Sequence, residues 1–285
     1  VEAYSGLTFA NEKLTINQRN IDLLDRQVET DQARLDRGQI TLADLAQSES
    51  SLAGAQAKFI EAKNTLVTAK LFYEKIIGDI ENADKLKKEL TLKFKIPINL
   101  NEAIKISKNN NPDLIIAKLD YEQSEKDVVI ARSDLSPTAT LSLNTTKTDD
   151  VSSTIDEKDQ ETLKATISWP LFKGGKNTAS LSRSKNLKNR KKLLFDNAIK
   201  TNETNVASAW SRYQSSQSLL SSVKLQVKAA EIANEGITVE YESGLGRSTL
   251  DVIQSNSILL DSRITLANTE RNYLLAQFKL LKAIG

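Results

Sequence analysis

Two aspartates, Asp44 and Asp251, stand at matching places in this chain, each shortly after a glycine-containing break in a long helix-forming stretch. A carboxylate in the first turn of a helix is favoured by the helix dipole, so the plain reading of both is structural. Other residues able to carry chemistry are sparse. Gly174-Gly175-Lys176 echoes a phosphate loop but lacks the spaced glycine and the Lys-Ser/Thr pair, and reads better as a sharp turn between elements. The run Lys185, Lys188, Arg190, Lys191 and Lys192 could touch nucleic acid, but such runs are usually solvated faces. Cysteine and histidine are both absent. That excludes thiol catalysis, disulfides and zinc–thiolate sites, and removes the commonest general base and metal ligand. The sequence therefore predicts no enzyme and no cofactor.

The elements that hold these residues are long. Of 285 residues 27% are charged and 39% hydrophobic, and 39 basic against 37 acidic residues leave a net charge of +2. Such a balance does not suggest a nucleic-acid partner. No run approaches the ~20 apolar residues of a spanning helix. Methionine is absent and Val1 comes first, so the chain reads as processed or truncated, with sequence missing before Val1 and no visible signal peptide. The four prolines all lie between Pro97 and Pro170. The stretches on either side are rich in Ala, Leu, Ser, Gln, Lys and Glu and suit long helices. Three seven-residue stripes support this: Leu14, Ile21, Val28, Leu35; Leu220, Val223, Val227, Ala230, Asn234, Ile237, Tyr241; and Ile253, Ser257, Leu260, Ile264, Ala267, Arg271, Leu274, Phe278, Leu281. Residues 175–243 are predicted to form one helix, roughly 100 Å long.

Each long stretch is broken once, at 37–41 and at 243–248, where glycine stops one helix and Thr41 or Ser248 can cap the next. Each break reads as the tip of a helical hairpin, with a mere kink as the alternative. The hairpins are copies. A shift of 207 residues lays Asp44 on Asp251, Gln47 on Gln254, Ser48 on Ser255, Leu52 on Leu259 and Gly78 on Gly285. Between the copies, 79–100 reads as an irregular connector and 101–135 as a helix with Asn101 as its cap. Thr138–Thr145 and Thr162–Phe172 read as strands, apolar at odd and polar at even positions over 138–144 and 162–169, the mark of one wet face, and a polar loop is expected between them. Strands of about ten residues, with Trp169 and Phe172 near one end, match a membrane β-barrel; a soluble hairpin packed on a helix is the alternative.

The segment Ile167-Ser168-Trp169-Pro170-Leu171-Phe172-Lys173-Gly174-Gly175, with Tyr241-Glu242-Ser243-Gly244, Thr249-Leu250-Asp251-Val252 and Leu135-Ser136-Pro137-Thr138, resembles the TolC-type outer-membrane efflux proteins over nearly the whole chain. The resemblance implies a mainly α fold with a β-hairpin. Long coiled-coil hairpins would form a trimeric periplasmic α-barrel, and the strands would join a transmembrane β-barrel. It divides the chain into a first helical hairpin (1–78), an equatorial connector (79–100), a helix leading to the membrane (101–136), a strand pair (137–172) and a second helical hairpin (173–285). The family's first strand pair is expected to precede Val1.

The function so implied is a passive exit duct for tripartite drug efflux or type I protein secretion, in the bacterial outer membrane and reaching into the periplasm. Its partners would be two further copies, a periplasmic adaptor, an inner-membrane pump or ABC transporter, and outer-membrane lipid, with the basic run just below the membrane. The resemblance puts Asp251 in the pore constriction. A second acidic residue of that ring is replaced here by Gln254. Tyr241 and Arg247 match the family's gate latch, with Asp44 as their partner. The tips Gly38-Gln39-Ile40 and Gly244-Leu245-Gly246 would dock the adaptor. A ring of aspartates, one per subunit, would attract cations at a narrow pore. A periplasmic adaptor, or a cytoplasmic coiled-coil scaffold, is the competing reading; the first would need flanking domains that are not seen, and the second leaves the strand pair unexplained.

Overall fold

The computed structural model describes residues 1–80, 86, 95–152 and 155–285. The chain is mainly helical, with one two-stranded antiparallel sheet, in the order α1 (Glu2–Asp36), α2 (Leu42–Ile77), α3 (Leu100–Asn110), α4 (Pro112–Ser133), β1 (Thr138–Ser152), β2 (Ile155–Ser168), α5 (Lys176–Glu242) and α6 (Thr249–Ile284). Most of the expected connector at 79–100 lies outside the described residues. The molecule divides into two units. One comprises Val1–Ile104 and Asn205–Ile284, the other Lys105–Thr204 and Gly285.

In the first unit α1 packs on α2 and α6, and α2 packs on α6. The duplication governs the element bounds: α2 and α6 both run 36 residues and start and stop at positions 207 apart. Small side chains line the seams. On α1 the buried row is Ala3, Ala10, Asn17, Leu24 and Asp31, in steps of seven. The predicted row Leu14, Ile21, Val28, Leu35 is only half-buried, so the seam lies on a neighbouring row of smaller residues. The close approach of small residues decides the packing there, where size alone points to the leucines. The α5 stripe is the one expected: Val223, Val227, Ala230, Asn234 and Tyr241 are all buried. On α6 only Leu260 and Ala267 of the expected row are buried, and the buried face also takes in Val252, Ser255, Asn256 and Leu259.

In the second unit the chain between 101 and 135 is two helices, not one. Asn111 caps α4, its side chain accepting from the amides of Asp113 and Leu114, and Pro112 takes the first helical position, where its missing N–H costs nothing. The cap of α3 is Asn99, which accepts from the Glu102 amide, in place of the expected Asn101. The β1–β2 register pairs Ala139 with Ile167, Leu141 with Ala165 and Leu143 with Leu163 on one face, and Thr140 with Thr166 and Ser142 with Lys164 on the other. Both strands outrun the expectation. The ladder continues through Thr146 and Thr148, where a polar loop was expected, because backbone pairing and β-branched residues sustain strands without an apolar face.

At the other end β2 stops at Ser168, short of the expected Phe172. Pro170 has no N–H to offer the ladder. Trp169 instead donates from its indole to the Leu135 carbonyl at 3.3 Å, tying the strand exit to the strand entry. Gly174 (φ 56°) and Gly175 (φ 79°) then turn the chain into α5 in a conformation that other residues adopt only under strain. The Gly-Gly-Lys segment is therefore a backbone turn. Two of the five basic-run residues are engaged by α4: Lys188 pairs with Glu125 at 2.8 Å and Lys191 with Asp120 at 2.6 Å.

Candidate functional site at the hairpin tips

Thr41 opens α2 with a reciprocal cap. Its hydroxyl accepts from the Asp44 amide at 3.2 Å, while the Asp44 carboxylate accepts from the Thr41 amide at 2.9 Å. Ser248 and Asp251 repeat this at α6, with the same two distances. These bonds hold both carboxyls below their ordinary value of 3.8, chiefly through the backbone amide and then through the hydroxyl. Both tips turn on glycines of positive φ, Gly38 (68°) in the first, Gly244 (74°) and Gly246 (81°) in the second. Gln254 is exposed on the first turns of α6.

Tyr241, near the end of α5, is buried to 3% exposure. Its hydroxyl donates to Asp31 at 2.6 Å. With that proton committed, Thr249 is the donor in the 3.0 Å contact between the two hydroxyls. Burial, and then the Asp31 carboxylate, push the phenol up from its usual value. Asp31 is fully buried and also accepts from Ser48 Oγ at 2.5 Å and Gln27 Nε2 at 3.0 Å. Arg34 closes the group from the tip side. Its guanidinium lies 4.1 Å from the Tyr241 ring centre and donates to the Tyr241 carbonyl at 2.9 Å. Four helices thus meet at one carboxylate and one phenol.

The residues expected to act together are partly assembled. Asp44, Tyr241, Arg247, Gln39, Ile40, Gly244 and Gly246 line one open cleft at the tips. Within it, however, Asp44 bonds Thr41, Tyr241 bonds Asp31, and Arg247 pairs with Glu240 at 2.6 Å across its own tip. Asp44 is not the hydrogen-bond partner of Tyr241 or Arg247 among the described residues. Asp31, Arg34, Ser48 and Thr249 are the members that sequence reasoning missed. One signal was available: Asp31 sits in step with Ala3, Ala10, Asn17 and Leu24, the one charge on a row that is otherwise uncharged. Among the described residues no group of three or more His, Cys, Asp or Glu could hold a metal ion, and no helix is long and apolar enough to cross a membrane.

Residues 103–285 match the family described as outer membrane efflux protein. The chain belongs to that family. Over the whole chain it is 24% identical to the outer membrane efflux protein BepC of Brucella suis, of which it covers 62%. It is 22% identical to the outer membrane protein TolC of Escherichia coli, with 99% of this chain and 60% of TolC covered. It therefore spans about three fifths of the length of these curated relatives. Its fold is that of CusC, whose crystal structures concern folding and transmembrane channel formation: TM-score 0.81 at 18% identity, covering 100% of this chain and 66% of that one. The likeness to CusC is one of fold, in the long helices and the strand pair.

Proposed function

We propose that this chain is the larger part of a subunit of a trimeric outer-membrane exit duct serving tripartite efflux or type I secretion. The observation that carries this is the apolar face of β1–β2. Leu141, Leu143, Leu163 and Ile167 share one face and are each about 70% exposed or more. Two strands alone are marginal in water, and among the described residues nothing covers this face. A closed barrel supplied by three subunits gives the ladder its missing neighbours and gives the leucines lipid. Thr140, Ser142, Lys164 and Thr166 then face the lumen.

The two helical hairpins would line the periplasmic tunnel, with energy supplied by an inner-membrane pump or ABC transporter. The tips Gly38-Gln39-Ile40 and Gly244-Leu245-Gly246 would meet a periplasmic adaptor. Asp251 and Gln254 would line the entrance. Tyr241 and Arg247 would hold it closed, with Asp44 ordering the start of α2 beside them. The residues of the basic run that α4 leaves exposed would lie near lipid headgroups. Spin labels at 163 and 164 of the full-length protein in liposomes test the carrying observation. Lipid-type accessibility at 163 and water-type at 164 is expected, because a lipid-facing Lys164 would cost ~2–4 kcal/mol near the midplane. The reverse pattern, or water at both positions, refutes the barrel.

A further inference from the structure

We propose that Asp31 is the positioning residue that clamps the two hairpin tips together in this chain, taking the place at the latch that the tip carboxylate Asp44 would have. The inference rests on the duct reading for its consequence but not for its geometry. Asp31 is on α1, more than one turn before the first tip, and is fully buried. It receives three hydrogen bonds, from Gln27 on its own helix, Ser48 on α2 and Tyr241 on α5. Tyr241 reaches on to Thr249 at the start of α6. One carboxylate is therefore joined to all four helices of the two hairpins. A buried carboxylate that loses these donors is left unpaired, and the buried Ser48 hydroxyl that loses the carboxylate loses its partner too.

The duplication sharpens the assignment. The caps Thr41–Asp44 and Ser248–Asp251 are kept in both copies, as expected for residues that only start helices. At the clamp the copies differ. The position matching Asp31 is Thr238, whose hydroxyl bonds the Asn234 carbonyl of its own helix, and the position matching Tyr241 is Arg34. Arg34 and Tyr241 stack on each other, so paired positions of the two copies carry unlike, complementary groups. That asymmetry is where hairpin meets hairpin. Asp44 has no bond across to the second hairpin among the described residues.

The test places spin labels at the exposed Gln39 and Leu245 of the full-length protein and measures the distance between the tips. Wild type and Asp44→Asn should give the same narrow distribution. Asp31→Asn, Ser48→Ala and Tyr241→Phe should each shift it to longer, broader distances at unchanged oligomer yield. Tyr241→Phe removes a single hydroxyl, so it keeps the test decisive if Asp31→Asn lowers the yield. Combining Asp31→Asn with Tyr241→Phe should open the tips no further than either change alone, because both break one link. An unchanged distribution in Tyr241→Phe, or equal opening by Asp44→Asn, overturns the clamp. These distances are read without any channel current. Failure of the duct reading would appear separately, as absence of conductance in wild type.

Discussion

Thr41 with Asp44 and Ser248 with Asp251 show how far single residues could be read from the sequence. Helix-start carboxylates after a glycine break were legible because capping is local chemistry, fixed by residues three apart. Asp31 was not, because two of its three donors lie 17 and 210 positions away and only the packed helices bring them together. The caps carry a pH dependence of defined sign. Each carboxyl is held below its ordinary value of 3.8, so its contribution is fully present above that value and is lost as pH falls through the lowered one. Hydrogen exchange should show the amides of Thr41 and Ser248 losing protection only below that value, both tips together. Loss at higher pH would mean that other groups hold the tips. Glycine replacement is a poor probe of docking, since Gly38 and Gly244 have positive φ and any side chain there strains the turn by ~1–2 kcal/mol. Leu245, 71% exposed, is a clean one. Leu245→Asp should reduce export at unchanged oligomer level, as immunoblot and export assays would show; full export would remove the second tip from the docking surface.

Among the elements, length and order were legible where periodicity is long. The predicted helix over 175–243 is α5, Lys176–Glu242, and the 207-residue repeat fixed the shared bounds of α2 and α6. The misses have local causes. The α1 seam runs through Ala3, Ala10, Asn17, Leu24 and Asp31, a row with one large apolar residue, which a search for large apolar residues passes over. The strands ran on because hydrogen-bonded ladders do not require hydropathy alternation. The helix over 101–135 was read through Pro112, which in fact starts a new helix under an Asn111 cap. Asn111→Ala should cost about 0.5–2 kcal/mol through the loss of that cap. A lowered thermal midpoint of the full-length protein would register it, and an unchanged one would show that Pro112 alone sets the break.

For the whole molecule, the strand pair and the hairpins have one feature in common: each is incomplete by itself. Among the described residues the strands have open edges and an uncovered apolar face, while the hairpins expose large apolar side chains such as Ile60, Leu71, Leu225 and Ile232, which suit packing against neighbours of the same kind. A threefold assembly would complete both. It would also multiply the clamp, so that a modest change per subunit shifts the closed state considerably. Single-channel recording of the purified full-length protein in planar bilayers tests this most directly. A trimeric duct predicts discrete, small, cation-preferring conductance steps in wild type, and larger steps in Tyr241→Phe. A protein that inserts no channel, or whose conductance and ion preference are the same in wild type, Tyr241→Phe and Asp251→Ala, would contradict a gated duct built on these tips.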